Sequence, residues 1–275
     1  MAARVAVVTD SASDLHHPPP GLEVIPLTVA FGTEELLDGI ELSAEAFWDR
    51  VDGADEIPTT ASPPPQSFAQ AYARAAETGA EAAVSVHVSA ELSRTIESAE
   101  AAAARSPIPV HVVDSRSVSL GEGLVALAAA GEASSGRGAD AVAEAARDAA
   151  GALEVYAFLE TVDFLQRGGR VGRARAALSD LLRIRPILTL DGGEPALAAR
   201  ARTRGRAIAE ILERAGTEAL ATGVLHARAP EAQQVAERLA AATGTAPIVS
   251  LIGSVTGSHL GPGCLGIALL RPPGH

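Results

Sequence analysis

Four short stretches of this 275-residue chain carry side chains able to hold an anion. The first, Pro58-Thr59-Thr60-Ala61-Ser62-Pro63-Pro64-Pro65, is a proline-rich loop feeding a helix that starts near Gln66. Proline fixes dihedrals and removes donors, so the hydroxyls and remaining amides form a defined set at a helix start, where anions are well received. The same residues read equally as a rigid turn with Ser/Thr capping. The second stretch, Ser89-Ala90-Glu91-Leu92-Ser93-Arg94-Thr95, opens a helix after a strand. Its Ser93 and Thr95 serve either an anion or an ordinary cap. The third, Gly253 to Gly263, is a glycine-dense loop between two strands, with His259 beside Ser and Thr. Glycine permits close backbone approach, so His259 is either a donor to a carboxylate or phosphate or a structural histidine. The fourth, Arg167-Gly168-Gly169-Arg170-Val171-Gly172-Arg173 with Arg175 after it, is a local positive patch. It is suited to an anionic ligand or partner, or is simply a solvated turn.

The elements that must position these residues alternate. Runs rich in Val, Ile and Leu predict strands over 3–9, 22–31, 82–88, 110–113, 154–158, 186–190, 195–202, 219–226, 247–251 and 265–270. Ala-rich segments between them predict helices over 43–52, 65–78, 90–105, 119–134, 139–150, 172–183, 204–215 and 230–243, with a short one over 161–167. Ser43 suits a helix cap, Gly79 and Gly244 suit helix ends, and Pro230 suits a first turn. The alternation predicts an α/β protein with a mostly parallel sheet in its first half. Asp191-Gly192-Gly193 between two strands is a hairpin signal, so the second half is expected to hold a mixed sheet. A domain boundary is expected near residue 152, giving units 1–152 and 153–275. Asp10-Ser11 and Asp114-Ser115 each follow a buried strand, the place where open parallel sheets bind ligands and also where helices are capped.

Composition excludes several functions. The net charge is −12 and aromatics are 3% of residues, against both phosphate-backbone binding and base stacking, so no nucleic-acid partner is expected. One cysteine, Cys264, allows no internal disulfide and no Cys-cluster metal site, and fits a cytoplasmic location. The apolar run of the N-terminus ends at Asp10, too short for a signal-peptide core. Leu239–Leu270 lacks charge but is interrupted by Gly, Ser, Thr and Pro, so no stable membrane insertion is expected. There is no P-loop, no dinucleotide fingerprint, no nucleophile elbow and no metal-ligand spacing among the seven His, so no cofactor or metal is expected.

The order and spacing of these motifs say more than each alone. Thr9-Asp10-Ser11, Pro58-Thr59-Thr60, Leu92-Ser93, Val113-Asp114-Ser115, Phe164-Leu165, Gly168-Gly169-Arg170-Val171, Arg185-Pro186-Ile187-Leu188, Arg202-Thr203 and Gly257…His259…Gly261-Pro262-Gly263 run nearly the whole chain. In that series the chain resembles the DegV family of bacterial fatty-acid-binding proteins. The resemblance implies two α/β domains with a long-chain acyl group buried between them. It implies Thr60, Ser93 and His259 as carboxylate-binding residues. Thr59, Ser62 and Arg94 are expected to bind ligand beside them. Arg170 matches an arginine linked with engaging a partner fatty acid kinase. The implied role is a non-catalytic carrier that presents a fatty acid to that ATP-using kinase and takes the acyl phosphate toward phospholipid synthesis. Separately, a monomer is expected. The chain departs from the family pattern at Ala61-Ser62-Pro63-Pro64, where Ser-Gln-Pro-Ser is usual, at Arg94, where Gly is usual, and at Leu178-Ser179-Asp180-Leu181-Leu182.

Two other readings compete. One is a phosphocarrier or phosphotransfer enzyme using His259 or the Asp10/Asp114 pair, since related α/β folds transfer phosphate. The other is a carrier for a different apolar acid, suggested by Arg94 and the altered Thr-Thr loop.

Overall fold

The computed structural model describes residues 4–52, 57–174 and 184–272. The expected α/β architecture is present. Strands β1 (Val5–Asp10), β2 (Leu22–Ile25), β6 (Ala82–His87) and β7 (Val110–Asp114) form a parallel sheet in the order β2-β1-β6-β7. Every residue of β6 is buried, as expected of a strand covered on both faces. Residues alternate between the two faces. Val8 and Ala83 pack on Phe68, Tyr72 and Ala99 from α2 (Pro65–Glu77) and α3 (Thr95–Ala103). Val7 and Val84 pack on Val125 and Val142 from α4 (Leu120–Ser134) and α5 (Ala139–Gly151).

The expected single strand 22–31 is two strands, β2 and β3 (Thr28–Phe31), with Pro26 between them. Proline lacks the N–H a ladder needs, so the chain turns there and leaves the parallel sheet. With β4 (Glu34–Leu37) and β5 (Thr59–Ala61), β3 forms a small antiparallel sheet in the order β4-β3-β5. Neither β4 nor β5 was expected; each is short, and the register Thr60↔Val29 is set by pairing with β3. Helix α1 (Ala44–Val51) joins these strands and is capped by Ser43, whose hydroxyl accepts the Ala46 N–H.

The second half builds a mixed sheet in the order β10-β9-β8-β13-β11-β12. Its strands are β8 (Leu153–Phe158), β9 (Arg185–Asp191), β10 (Glu194–Ala201), β11 (Ala221–His226), β12 (Ile248–Leu251) and β13 (Leu265–Leu270). The β9–β10 hairpin turns on Gly192 and Gly193, both at positive φ, +64° and +92°. That conformation suits glycine in a two-residue hairpin turn. Helix α6 (Asp163–Arg167) follows β8, and helices α7 (Arg204–Ala215) and α8 (Ala232–Thr243) cover one face of this sheet. Gly244 ends α8 in the left-handed conformation, and Pro230 lies two residues ahead of its first residue.

Three further expectations are corrected. Helix α3 starts at Thr95 and not at residue 90, because Leu92 and Ser93 donate their amides to the Ser89 carbonyl in a separate turn. The glycine-dense loop contains helix α9 (Ser254–Leu260), closed by Gly261 at φ +73°. Of the helix expected over 172–183, Gly172–Ala174 form one 3-10 turn. Arg175 and Leu178–Leu182 lie outside the described residues.

The boundary expected near residue 152 falls between the end of α5 and the start of β8. One hydrophobic cluster nevertheless runs across it, joining Phe47, Trp48 and Leu120 to Leu225, Ile252 and Cys264. Among the described residues no helix is long and apolar enough to cross a membrane.

Candidate ligand cavity and its polar end

A cavity of about 340 Å3 lies between the carboxyl ends of the parallel strands and the open face of the mixed sheet. Ala12, Val88 and Val118, just beyond β1, β6 and β7, form one wall; Val155, Ala157 and Leu225 form the other. This is the crevice where open α/β sheets bind ligands. Its size falls in the range of small-molecule sites, roughly 300–1,000 Å3.

One group of its polar side chains is clustered. Thr60 Oγ1 lies 2.9 Å from His259 Nε2, and Ser62 Oγ lies 2.9 Å from Ser93 Oγ. Ser93 Oγ is 2.8 Å from Thr95 Oγ1, so three hydroxyls run in a chain to the first turn of α3. Each is placed by local geometry. Thr60 is half-buried while Thr59 is exposed, because successive strand residues face opposite sides. Pro63 and Pro64 stiffen the link from Ser62 to α2, and Pro65 occupies its first position, where no N–H is needed. His259 sits in the last turn of α9, which carries it to the cavity.

The imidazole is held on its second side by a glycine. A Cβ on Gly168 would stand 2.3 Å from His259 Nδ1, so the ring rests against bare backbone. His259 Nδ1 is buried and has no hydrogen-bond partner among the described residues. Burial first, and then the Arg170 guanidinium, depress the imidazole pKa to about 4. The ring is therefore neutral at neutral pH and carries one N–H.

The candidate residues divide by position. Thr60, Ser62, Ser93, Arg94, Arg170 and His259 border the cavity, whereas Thr59 faces solvent away from it. Arg94 is at the rim, pointing outward with its side chain 83% exposed and paired to Glu97 at 2.7 Å. It is not an inward cation beside the hydroxyl cluster. Arg170 is exposed at the mouth, donating from Nη1 to the Gly168 carbonyl at 2.7 Å and from Nε to the Leu92 carbonyl at 3.3 Å. Arg173 is neutralised by Asp191 and Glu194.

The Asp10/Asp114 pair is not brought together. Asp10 ends β1 and Asp114 ends β7, with β6 between them. Asp10 is fully buried, accepting the Ala12 and Val88 amides and facing His87 Nδ1 at 3.0 Å. Asp114 accepts the Arg116 amide. Two contributors had no signal in the sequence: the apolar wall, assembled from residues far apart in the chain, and Gly168 as a support for His259. Among the described residues no His, Cys, Asp or Glu cluster is arranged to hold a metal ion.

Comparison with known proteins finds relatives along nearly the whole chain. Residues 4–271 match the DegV family, described as uncharacterised proteins. A DegV domain-containing protein of Streptomyces coelicolor is 38% identical, over 98% of this chain and 99% of its own length. Protein DegV of Bacillus subtilis is 32% identical, over 96% and 98%. Among solved structures, a Thermus thermophilus DegV family protein described by its fatty acid binding superposes with a TM-score of 0.87 at 32% identity, covering 98% of this chain and 100% of the other. The Bacillus subtilis DegV structure, described as a fatty acid binding protein, gives 0.86 at 30% identity, with coverage of 98% and 100%. With its family model matched almost end to end and its fold shared, this chain belongs to the DegV family.

Proposed function

We propose that this protein binds one long-chain fatty acid, with the carboxylate among Thr60, Ser62, Ser93 and His259 and the tail along the apolar walls. The observation that carries this reading is the cavity itself: a largely apolar crevice bordered by a cluster of neutral donors, Thr60, Ser62, Ser93 and His259. Burying a long acyl chain at ~0.8 kcal/mol per CH₂ supplies on the order of 12 kcal/mol before ordering costs. Desolvating a carboxylate costs several kcal/mol, and donors at the polar end offset it. The tail thus provides affinity and the head group selects acids. The fatty-acid binding of relatives at 30% and 32% identity supports the same assignment.

The protein acts as a carrier in this scheme, a cytoplasmic monomer that presents its ligand to a separate ATP-dependent fatty acid kinase and carries the acyl phosphate onward to phospholipid synthesis. Arg170 supports that step by its position. It lines both the cavity and an adjoining open cleft of about 450 Å3 that a second protein can reach. The phosphocarrier reading has less support: Nδ1 of His259 is packed against Gly168 and Nε2 is engaged by Thr60.

Native mass spectrometry and a lipid extract of the recombinant protein test the proposal. One fatty acid per chain, lost in His259→Ala, supports it. An empty protein that also refuses added fatty acid, or that labels on His259 with a phosphodonor, rejects it.

A further inference from the structure

Helix α9 does not support itself. It spans seven residues, Ser254–Leu260, and includes Gly257, Val255, Thr256 and two serines. Helices shorter than about 12–15 residues are marginal in isolation, and these residue types are poor helix formers. Its approach segment is held from outside instead. Four consecutive residues, Leu251 to Ser254, each give a backbone group to a side chain from residues 14–48. His16 Nε2 lies 2.6 Å from the Leu251 carbonyl, and Trp48 Nε1 donates to the Ile252 carbonyl at 2.7 Å. Asp14 Oδ1 accepts the Gly253 amide at 2.9 Å, and Asp38 Oδ1 accepts the Ser254 amide at 3.3 Å. Asp38 also accepts the Ser254 hydroxyl, and the Asp14 carbonyl accepts the Ser250 hydroxyl at 2.7 Å.

Close packing completes the grip. A Cβ on Gly257 would lie 2.5 Å from Phe47 Cε1 and 2.8 Å from Trp48 Cζ2, so the aromatic pair of α1 rests directly on the α9 backbone. A Cβ on Gly253 would lie 2.8 Å from Asp14 Oδ1. Asp14 is itself fixed by the Ser119 hydroxyl, and Ser119 borders the cavity.

We propose that Asp14 and Asp38, with Trp48 and His16, are positioning residues for the ligand head group: they clamp the entry of α9 so that its last turn presents His259 to Thr60. None of the four lines the cavity. They act through the helix, converting contacts made by the first fifty residues into the placement of an imidazole near the end of the chain. The consequence for fatty acid binding rests on the function proposed above; the clamp itself does not.

The test uses the full chain, stripped of lipid and labelled with 15N-histidine, and reads the His259 titration. In Asp14→Ala the released helix admits water to the imidazole, so its titration moves up toward ordinary histidine by at least about one pH unit. Asp14→Asn keeps an acceptor for the Gly253 amide and stays near wild type. Ile211→Ala, in the core on the far face of the mixed sheet, lowers Tm without moving His259. An unmoved His259 in Asp14→Ala, or equal movement in Ile211→Ala, overturns the clamp. If Asp14→Ala does not fold, the double variant His16→Ala/Trp48→Phe removes two of the four bonds and is read the same way. Palmitate is then added as a separate arm. Wild type that refuses palmitate sinks the fatty-acid reading while the His259 result still decides the clamp. Where wild type binds, affinity at least about tenfold weaker in Asp14→Ala supports the link, and unchanged affinity overturns it.

Discussion

Thr60 Oγ1 and His259 Nε2 stand 2.9 Å apart although 199 residues separate them in the chain. Thr60 is on a three-residue strand and His259 on a two-turn helix, so neither element is stable without its neighbours. Their meeting marks the polar end of the cavity, and the consequences of disturbing it are specific.

The proposed head-group donors are tested by removing them. His259→Ala and Ser93→Ala are each expected to weaken fatty acid binding by at least about tenfold, since a buried carboxylate left short of a donor costs roughly 1–3 kcal/mol or more. Displacement of a fluorescent fatty acid measures it. Retained affinity in both variants places the carboxylate elsewhere.

Gly168→Ala tests the support behind the imidazole. Its new Cβ would meet His259 Nδ1 at 2.3 Å and the Phe164 carbonyl at 3.0 Å. Overpacking of this kind costs about 1–3 kcal/mol and here is relieved by shifting the ring away from Thr60. The expected result is weaker fatty acid binding with a smaller loss of Tm, read by titration and thermal melts on the same preparation.

Val155→Phe shortens the tail channel. Val155 and Ala157 face the cavity from the same strand, with Val155 farther along it from α6 (Asp163–Arg167) and the Gly168–His259 contact. Added volume there is expected to shift the bound acids toward shorter chains, seen in the lipid extract. An unchanged distribution means the tail takes another path.

Arg170→Ala separates holding the ligand from handing it over. The guanidinium sits at the mouth, bonded to two backbone carbonyls. The substitution is expected to lower the rate of kinase-dependent acyl phosphate formation more than it lowers fatty acid affinity. Equal losses in the two assays, or none in either, count against a role in engaging the partner.

Asp14 predicts an unusual pH dependence. Burial raises its pKa from 3.8 to about 7, against the lowering effects of Ser119, the Gly253 amide and His16; nearby Asp38 raises it further. The folded state therefore holds a proton that the unfolded chain has lost, and this group's contribution to stability declines as pH rises from about 4 to about 7. Asp14→Asn removes the term while Asp38, His16 and Glu122 remain. The Tm of the variant minus that of wild type should grow between about pH 5 and about pH 8. A constant difference means Asp14 is ionised across that range.

Much of the fold is local and so was readable from the chain. The β9–β10 turn needs two residues at positive φ, and Gly192-Gly193 meet that need by themselves. Ser43 caps α1 through an amide three residues away. Burial of Ala82, Ala83, Val84 and Val86 in β6 follows from their own apolar side chains. Motif order also pointed to the family, because spacing along the chain survives where single motifs are ambiguous.

What tertiary structure alone decided is non-local. Helix α9 has a loop-like composition, and it is helical because His16, Trp48, Asp14 and Asp38 take up its entry groups and Phe47 and Trp48 pack on its backbone. Strand β5 exists because β3 offers it a ladder, and that register turns Thr60 toward His259 and Thr59 toward solvent. Residue types and spacing determined which groups were able to bind an anion. Only packing decided which of them face one cavity and, by burying it beside Arg170, that His259 is neutral.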